Sequence, residues 1–152
     1  MSGKPTIHVI GTGGTISGVG SSATGAVYES GRVGASELVA EVEGLSQVPS
    51  IETENLFATG SENLGPDEWR TLARRIEELT TSSDIDGVVV THGTDTLEEA
   101  SFFLDLVCTP SKPVVLTAAM RPATALSADG PAICIRQYLP QPLSNLMIMV
   151  FW

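Results

Sequence analysis

Apolar residues in this chain occur either as short unbroken runs or at helical spacing, and the two patterns follow one another in turn. Thr6–Ile10 reads as a short buried strand that ends in the glycine-rich Gly11-Thr-Gly-Gly-Thr-Ile-Ser-Gly18. A loop of small residues follows as far as Gly34, and loops of that length usually carry function. Ser36–Val42 predicts a short helix, Ile51–Phe57 a second strand, and Pro66–Leu79 a longer helix that opens on proline, where a missing N–H costs nothing. In that helix Trp69, Leu72, Ala73, Ile76 and Leu79 line up as one apolar stripe. Gly87–Val90 is a further strand, and a helix from Asp95 or Thr96 to Val107 turns Leu97, Ala100, Phe103 and Leu104 to one side. Pro113–Leu116 closes the pattern as another strand.

This βαβαβ alternation predicts an α/β fold, a mainly parallel sheet flanked by helices on both faces and joined by right-handed crossovers. In such sheets ligands collect where strands end and helices begin, because the first N–H groups of each helix are unpaired there. The run Val88–Glu99 has that form: β-branched residues deliver Thr91, Thr94 and Asp95 into a glycine turn that opens a helix. Function is therefore sought around Thr94 and Asp95.

Composition narrows the classes. With 152 residues and 42% hydrophobic content the chain supports one domain with a real core. A formal net charge of −10 argues against gripping a phosphate backbone, so no nucleic-acid partner is expected. The start lacks the apolar core of a secretory signal and no run approaches the roughly 20 apolar residues of a membrane span, so the expectation is a cytoplasmic chain without a membrane partner. The two cysteines, Cys108 and Cys134, match no metal or redox spacing and are expected to be free thiols.

Several residues carry two readings each. Thr15 is either a hydroxyl capping a helix or a nucleophile. Ser61-Glu62-Asn63 is a solvated loop unless it meets a ligand. Arg121 and Asp129 either shape a pocket or brace a turn, with bracing favoured. His8 reads as a packed or surface histidine, and His92, directly after its strand, as a buttress of the turn. Neither has metal-type partners at useful spacing, so no metal is expected.

Thr12-Gly-Gly-Thr-Ile16, Thr91-His-Gly-Thr-Asp-Thr96, and a third block running from Lys112-Pro-Val-Val-Leu through Ala119-Met-Arg-Pro to Ser127-Ala-Asp-Gly-Pro131 together resemble the bacterial-type L-asparaginase family, amidohydrolases that use threonine. The likeness is collinear from about Thr6 to Pro131. It implies hydrolysis of L-asparagine to aspartate and ammonia, with a possible side activity on glutamine and no cofactor. It implies Thr15 as the nucleophile, Tyr28 as its proton-accepting partner, and the residues around Val19–Ala26 as a lid. Thr94 matches a second active-site threonine that orients water or relays a proton. Asp95 matches the partner of the substrate's α-ammonium and Ser61 that of its α-carboxylate. Glu62 stands at the position that contacts the ammonium, and Gly14 lines the substrate. The fold implied is the flavodoxin-like N-terminal domain of that family. A cysteine that pairs in some relatives near Cys108 has no counterpart in Thr80–Ser83, so no disulfide is expected there.

After Pro131 the resemblance stops. Residues 1–131 are expected to form the asparaginase-type domain, incomplete as given, and 132–152 a tail foreign to the family. Pro140 and Pro142 oppose the helix expected there, and the bland reading of the apolar end is an unusual strand. Read one nucleotide earlier, the codons from Ile133 onward admit the family's continuation, and the last of them force Gly, Leu and Val where the family has them. A one-base deletion at the codon of Ala132 is the sharper expectation. The resemblance further implies a downstream lysine in the proton relay, a smaller second domain and homotetrameric assembly of intact chains. On that ground the 152-residue chain is expected to lack appreciable activity alone. Two other readings compete: a nucleotide-binding α/β domain, resting on the glycine-rich turn but lacking the third glycine and the P-loop lysine, and a non-functional product.

Overall fold

The computed structural model describes residues 4–20, 27–42, 50–130 and 148–151. Along the chain β1 (Thr6–Gly13) is followed by the short strands β2 (Val19–Gly20) and β3 (Tyr28–Glu29), helix α1 (Ala35–Ala40), and β4 (Ser50–Thr59). Helix α2 (Pro66–Thr81), β5 (Gly87–Thr91), α3 (Leu97–Val107), β6 (Val114–Thr117) and β7 (Ile148–Phe151) complete it. Five strands form one sheet in the order β4-β1-β5-β6-β7. Every pairing in it is parallel. The chain thus builds outward from β1 on one side to β4, then crosses to the other side for β5, β6 and β7. A crevice is expected where the direction reverses, at the carboxyl ends of β1 and β5.

Burial on both faces explains the unbroken apolar strands. Val88 and Val90 of β5 face a core made with Leu72, Ile76 and Leu79 of α2 and Leu97 and Leu104 of α3. Val89, between them, faces the opposite core with Val9, Val115, and Ala35 and Leu38 of α1. A parallel sheet covered on both sides needs apolar residues at every position of its inner strands, and β5 has them. The α2 stripe packs as its spacing predicts, with Trp69 half-buried and its ring 5.7 Å from that of Phe103 on α3. Helix α2 begins at Pro66, and the Glu68 carboxylate accepts the Gly65 N–H at 3.0 Å, which holds that carboxyl below its usual range.

The structure differs from expectation in three places. β1 runs on to Gly13, so the first three residues of the glycine-rich segment are strand, with a register irregularity between Gly11 and Gly13. A hairpin, Val19↔Glu29 and Gly20↔Tyr28, forms inside the small-residue loop, where short polar strands give no periodic signal. Before α3 a single 3-10 turn occupies Thr94–Thr96, and the helix proper starts at Leu97. The expected lid residues 21–26, Cys134 and the stretch 131–147 lie outside the described residues. No helix among the described residues is long and apolar enough to cross a membrane.

Gly13 fixes how β1 meets β4. Its φ is +100°, and a Cβ there would stand 2.6 Å from Thr59 N and still closer to the Thr59 carbonyl oxygen. Gly13→Ala is therefore expected to destabilise the fold by about 2 kcal/mol or more in urea unfolding. Gly65→Ala, whose Cβ would meet nothing nearer than Glu68 Oε2 at 3.7 Å, should change it by less than about 0.5 kcal/mol. Equal effects at the two positions would refute this account.

Candidate active site

Three loops leave the carboxyl ends of β1, β4 and β5 and meet with almost no side chain between them. β1 and β5 end side by side, Gly11 opposite Thr91, and the Thr12 hydroxyl donates to the Thr91 carbonyl at 2.9 Å. The chain then turns at Gly14, at φ +78°, whose N–H donates to the Thr59 carbonyl at 2.8 Å. A Cβ on Gly14 would lie 2.5 Å from Gly93 N, and one on Gly93 would lie 2.7 Å from Ser61 Cβ and 3.1 Å from Gly14 Cα. Gly93 is thus a spacer with the Gly14 turn on one side and the Ser61 turn on the other.

Thr15 heads a 3-10 turn, Thr15–Ser17, and is only 7% exposed. Its hydroxyl shares a 2.8 Å hydrogen bond with the Tyr28 hydroxyl, in which either oxygen can donate. Tyr28, 39% exposed, reaches over from the β2–β3 hairpin. That hairpin is tied to the turn because the Arg32 and Val33 N–H groups both donate to the Ser17 carbonyl at 2.9 Å. Ala123 N–H donates to the Gly18 carbonyl at 3.0 Å, and Gly20 N–H to the Thr124 hydroxyl at 2.8 Å, so the segment after β6 braces the same hairpin.

The β5 loop carries Thr94, half-buried, and Asp95, exposed. The third residue of its turn, Thr96, donates its hydroxyl to the Ser61 carbonyl at 3.0 Å. Ser61 is 1% exposed and its Oγ has no hydrogen-bond partner in the protein, which sets aside the solvated-loop reading for this residue. Glu62 beside it is exposed and accepts from Asn63 Nδ2 at 3.0 Å. The structure therefore joins Gly14, Ser61 and the 94–96 turn through Gly93, and Thr15 with Tyr28, while Asp95 and Glu62 stand at the rim.

His92 supports the turn from below, as its place in the sequence suggests. It is fully buried, its N–H donates to the Thr117 carbonyl at 2.8 Å, and Nδ1 lies 2.9 Å from the Gly93 carbonyl. A carbonyl only accepts, so the ring proton is on Nδ1. Burial pushes its pKa down, opposed in part by that bond. Asp129 accepts the Met120 and Arg121 N–H groups at 3.0 and 3.1 Å, and Arg121 Nη1 donates to the Ser127 carbonyl at 3.3 Å. Both charges brace a turn. His8 packs between Glu52 and Glu54 at 3.4 Å each, away from the site on the neighbouring strand. Cys108 is buried and free, its thiol pushed up to about 11 chiefly by burial, with Glu77 adding to it. Among the described residues no group of three or more His, Cys, Asp or Glu could hold a metal ion.

Sequence reasoning passed over Thr12, Gly93 and Thr96. Thr96 could not be found from local pattern, because its partner lies 35 residues earlier. The steric role of Gly93 likewise depends on two segments remote from it in sequence.

Comparison with known proteins finds relatives over most of this chain. A family model described as asparaginase, N-terminal, matches residues 6–135. The glutaminase-asparaginase of Pseudomonas fluorescens biotype A is 46% identical over 125 residues, which are 82% of this chain and 34% of that protein. L-asparaginase 2 of Escherichia coli K12 is 46% identical over 127 residues, 84% of this chain and 36% of that one. A crystal structure of the probable cytoplasmic L-asparaginase from Campylobacter jejuni superposes with a TM-score of 0.90 at 38% identity, over 97% of this chain and 46% of that chain. The chain spans about a third of the length of these curated relatives.

The buried His92 makes stability depend on pH. Its folded pKa is depressed, so below the unfolded value near 6.5 the unfolded chain binds a proton that the folded one refuses. Its contribution is complete above that pH and is lost as pH falls, with a slope of up to about 1.4 kcal/mol per pH unit until the folded pKa is passed. Urea unfolding of the wild type and His92→Asn between pH 5 and 7.5 should differ by that slope. Parallel profiles would exclude it.

Proposed function

Because the chain belongs to the asparaginase family, we propose that its site binds L-asparagine and forms the threonine half of an amide-hydrolysing centre. The single observation that carries this reading is the 2.8 Å bond between the buried Thr15 hydroxyl and Tyr28, beyond the carboxyl end of β1. An alcohol is a weak nucleophile until a partner takes its proton. Tyr28 is within reach to relay it, accepting the Thr15 proton as its own proton passes on to the departing amide nitrogen, so that Thr15 Oγ1 attacks the side-chain amide carbon of asparagine, the C–N bond breaks, and an acyl-enzyme forms as ammonia leaves. Water then releases aspartate, oriented by Thr94 in the neighbouring turn. The oxygen that gains charge meets backbone N–H groups at the head of these turns, where they are not consumed by a helix ladder.

An amino acid brings one cation and one anion to the site, and both kinds of partner are available. Asp95, exposed at the rim, suits the α-ammonium. Ser61 Oγ, buried with its hydrogen-bonding capacity unused, suits the α-carboxylate. Glu62 beside it would contact the ammonium and bear on the choice between asparagine and glutamine. The rival nucleotide-binding reading is not favoured. The glycine-rich turn leads into a 3-10 turn of three residues rather than a helix, so it offers no helix N-terminus to a phosphate.

Calorimetric titration of the 152-residue chain with L-aspartate and with ATP separates the two. Aspartate should bind, Asp95→Asn should weaken it about tenfold or more, as removal of a charge-assisted bond does, and ATP should give no heat. ATP binding without aspartate binding would overturn the reading. Ammonia release from L-asparagine should be far slower for this chain alone than for a full-length relative, whose downstream lysine completes the relay that the family resemblance implies. Comparable turnover would show that these residues suffice.

A further inference from the structure

Threonine at a helix N-cap ordinarily turns its hydroxyl back onto the first N–H groups of its own helix. Thr96 is the N-cap of α3, at φ −132° and ψ 26°, and makes no such bond. Its hydroxyl reaches across to another segment and donates to the Ser61 carbonyl at 3.0 Å. Ser61, in the turn Ser61–Asn63 after β4, is 1% exposed, and its Oγ has no partner in the protein. Buried hydroxyls are nearly always paired, so an unused one in a candidate site points to a ligand. Gly93 has an ordinary φ of −86°, so its glycine is not needed for backbone conformation. It is needed for room, since a Cβ there would run into the Ser61 side chain.

We propose that Thr96, with Gly93 as its spacer, is a positioning residue that ties the Ser61 turn to the Asp95 turn, so that the two charges of an amino-acid ligand are bound as a unit. This rests on the reading of Ser61 and Asp95 as the partners of the α-carboxylate and the α-ammonium. Asp95 immediately precedes Thr96 in the same turn, so the hydroxyl fixes the distance between a charged rim group and the buried Ser61. The β-branch of threonine restricts χ1 and keeps the tether in one rotamer. Without it each turn can still bind its own charge, but the two are no longer held at the spacing of one small molecule. The gain from bringing two partners pre-arranged to one ligand is lost.

The test compares Thr96→Val, which keeps the shape and removes the hydroxyl, with Thr96→Ser, which keeps the hydroxyl. Calorimetry measures L-aspartate and succinate, the same dicarboxylate without the ammonium. Thr96→Val is expected to weaken aspartate about tenfold and succinate less than twofold, and Thr96→Ser to stay within about threefold of wild type for both. Equal weakening of aspartate and succinate by Thr96→Val would overturn the proposal, because an ordinary loss of structure does not distinguish them. Amide exchange reads the tether without a ligand, at Asn63 N–H and Leu64 N–H, which are bonded to the Gly60 and Ser61 carbonyls at 3.1 and 3.0 Å. Those two amides should exchange about tenfold faster in Thr96→Val, with Val89 and Val115 unchanged. Unchanged exchange at Asn63 and Leu64, or acceleration throughout the sheet, would also overturn it. A wild-type chain that binds neither ligand would refute the substrate reading, and the exchange result would still decide the tether.

Discussion

The site depends on backbone packing against backbone where side chains are missing. Gly13 and Gly14 take positive φ, Gly13 pressing on Thr59 and Gly14 on Gly93, while Gly93 fills the gap between Gly14 and Ser61. A methyl group at any of the three would force apart loops that come from three different strands. The turn carrying Thr15, the turn carrying Ser61 and the turn carrying Asp95 are held together by this contact, and the side-chain bonds add direction to it. Thr12 to Thr91, Thr96 to Ser61, and the Gly14 N–H to Thr59 each cross from one loop to another. The sheet has the complementary requirement. Its inner strands must be apolar on both faces to fix where the loops begin, and β5 meets this with three consecutive valines split between two cores.

Much of the fold was legible because its signals are local. The valine run of β5, the Trp69–Leu79 stripe of α2 and the proline at its start each follow from spacing within a single element. The strand that continues through Gly11–Gly13 was not, since glycine lowers strand propensity and only pairing with Thr59 explains its presence there. The β2–β3 hairpin is two residues on each side, too short to leave a period. In the site, Thr94 and Asp95 were reached from the strand–turn–helix pattern that carries them, whereas the roles of Thr15, Tyr28 and Ser61 came through family likeness. What no local reading could give is the role of Thr96 and Gly93, whose partners are remote in sequence.

The division of charge across the site has a physical reason. The buried groups are the Thr15 and Ser61 hydroxyls and a His92 ring whose charged form burial disfavours, with the Tyr28 hydroxyl reaching over Thr15. Carboxylates stand at the rim, Asp95 and Glu62 both exposed. Burying a carboxylate without a matched cation costs far more than burying a hydroxyl that has a partner. A chain with a net charge of −10 can therefore keep these acidic groups hydrated while the residues behind them are hydroxyls and a buried imidazole. In the proposed reading the α-ammonium of a bound amino acid would be met at the edge by Asp95, where solvent still screens it, and its α-carboxylate inside by the Ser61 hydroxyl. The charge that would develop on an attacked amide oxygen would arise inside, where only oriented backbone dipoles meet it. The same sequence that places glycines at the floor and acids at the rim thus separates recognition of the ligand's cation from the chemistry proposed for its amide.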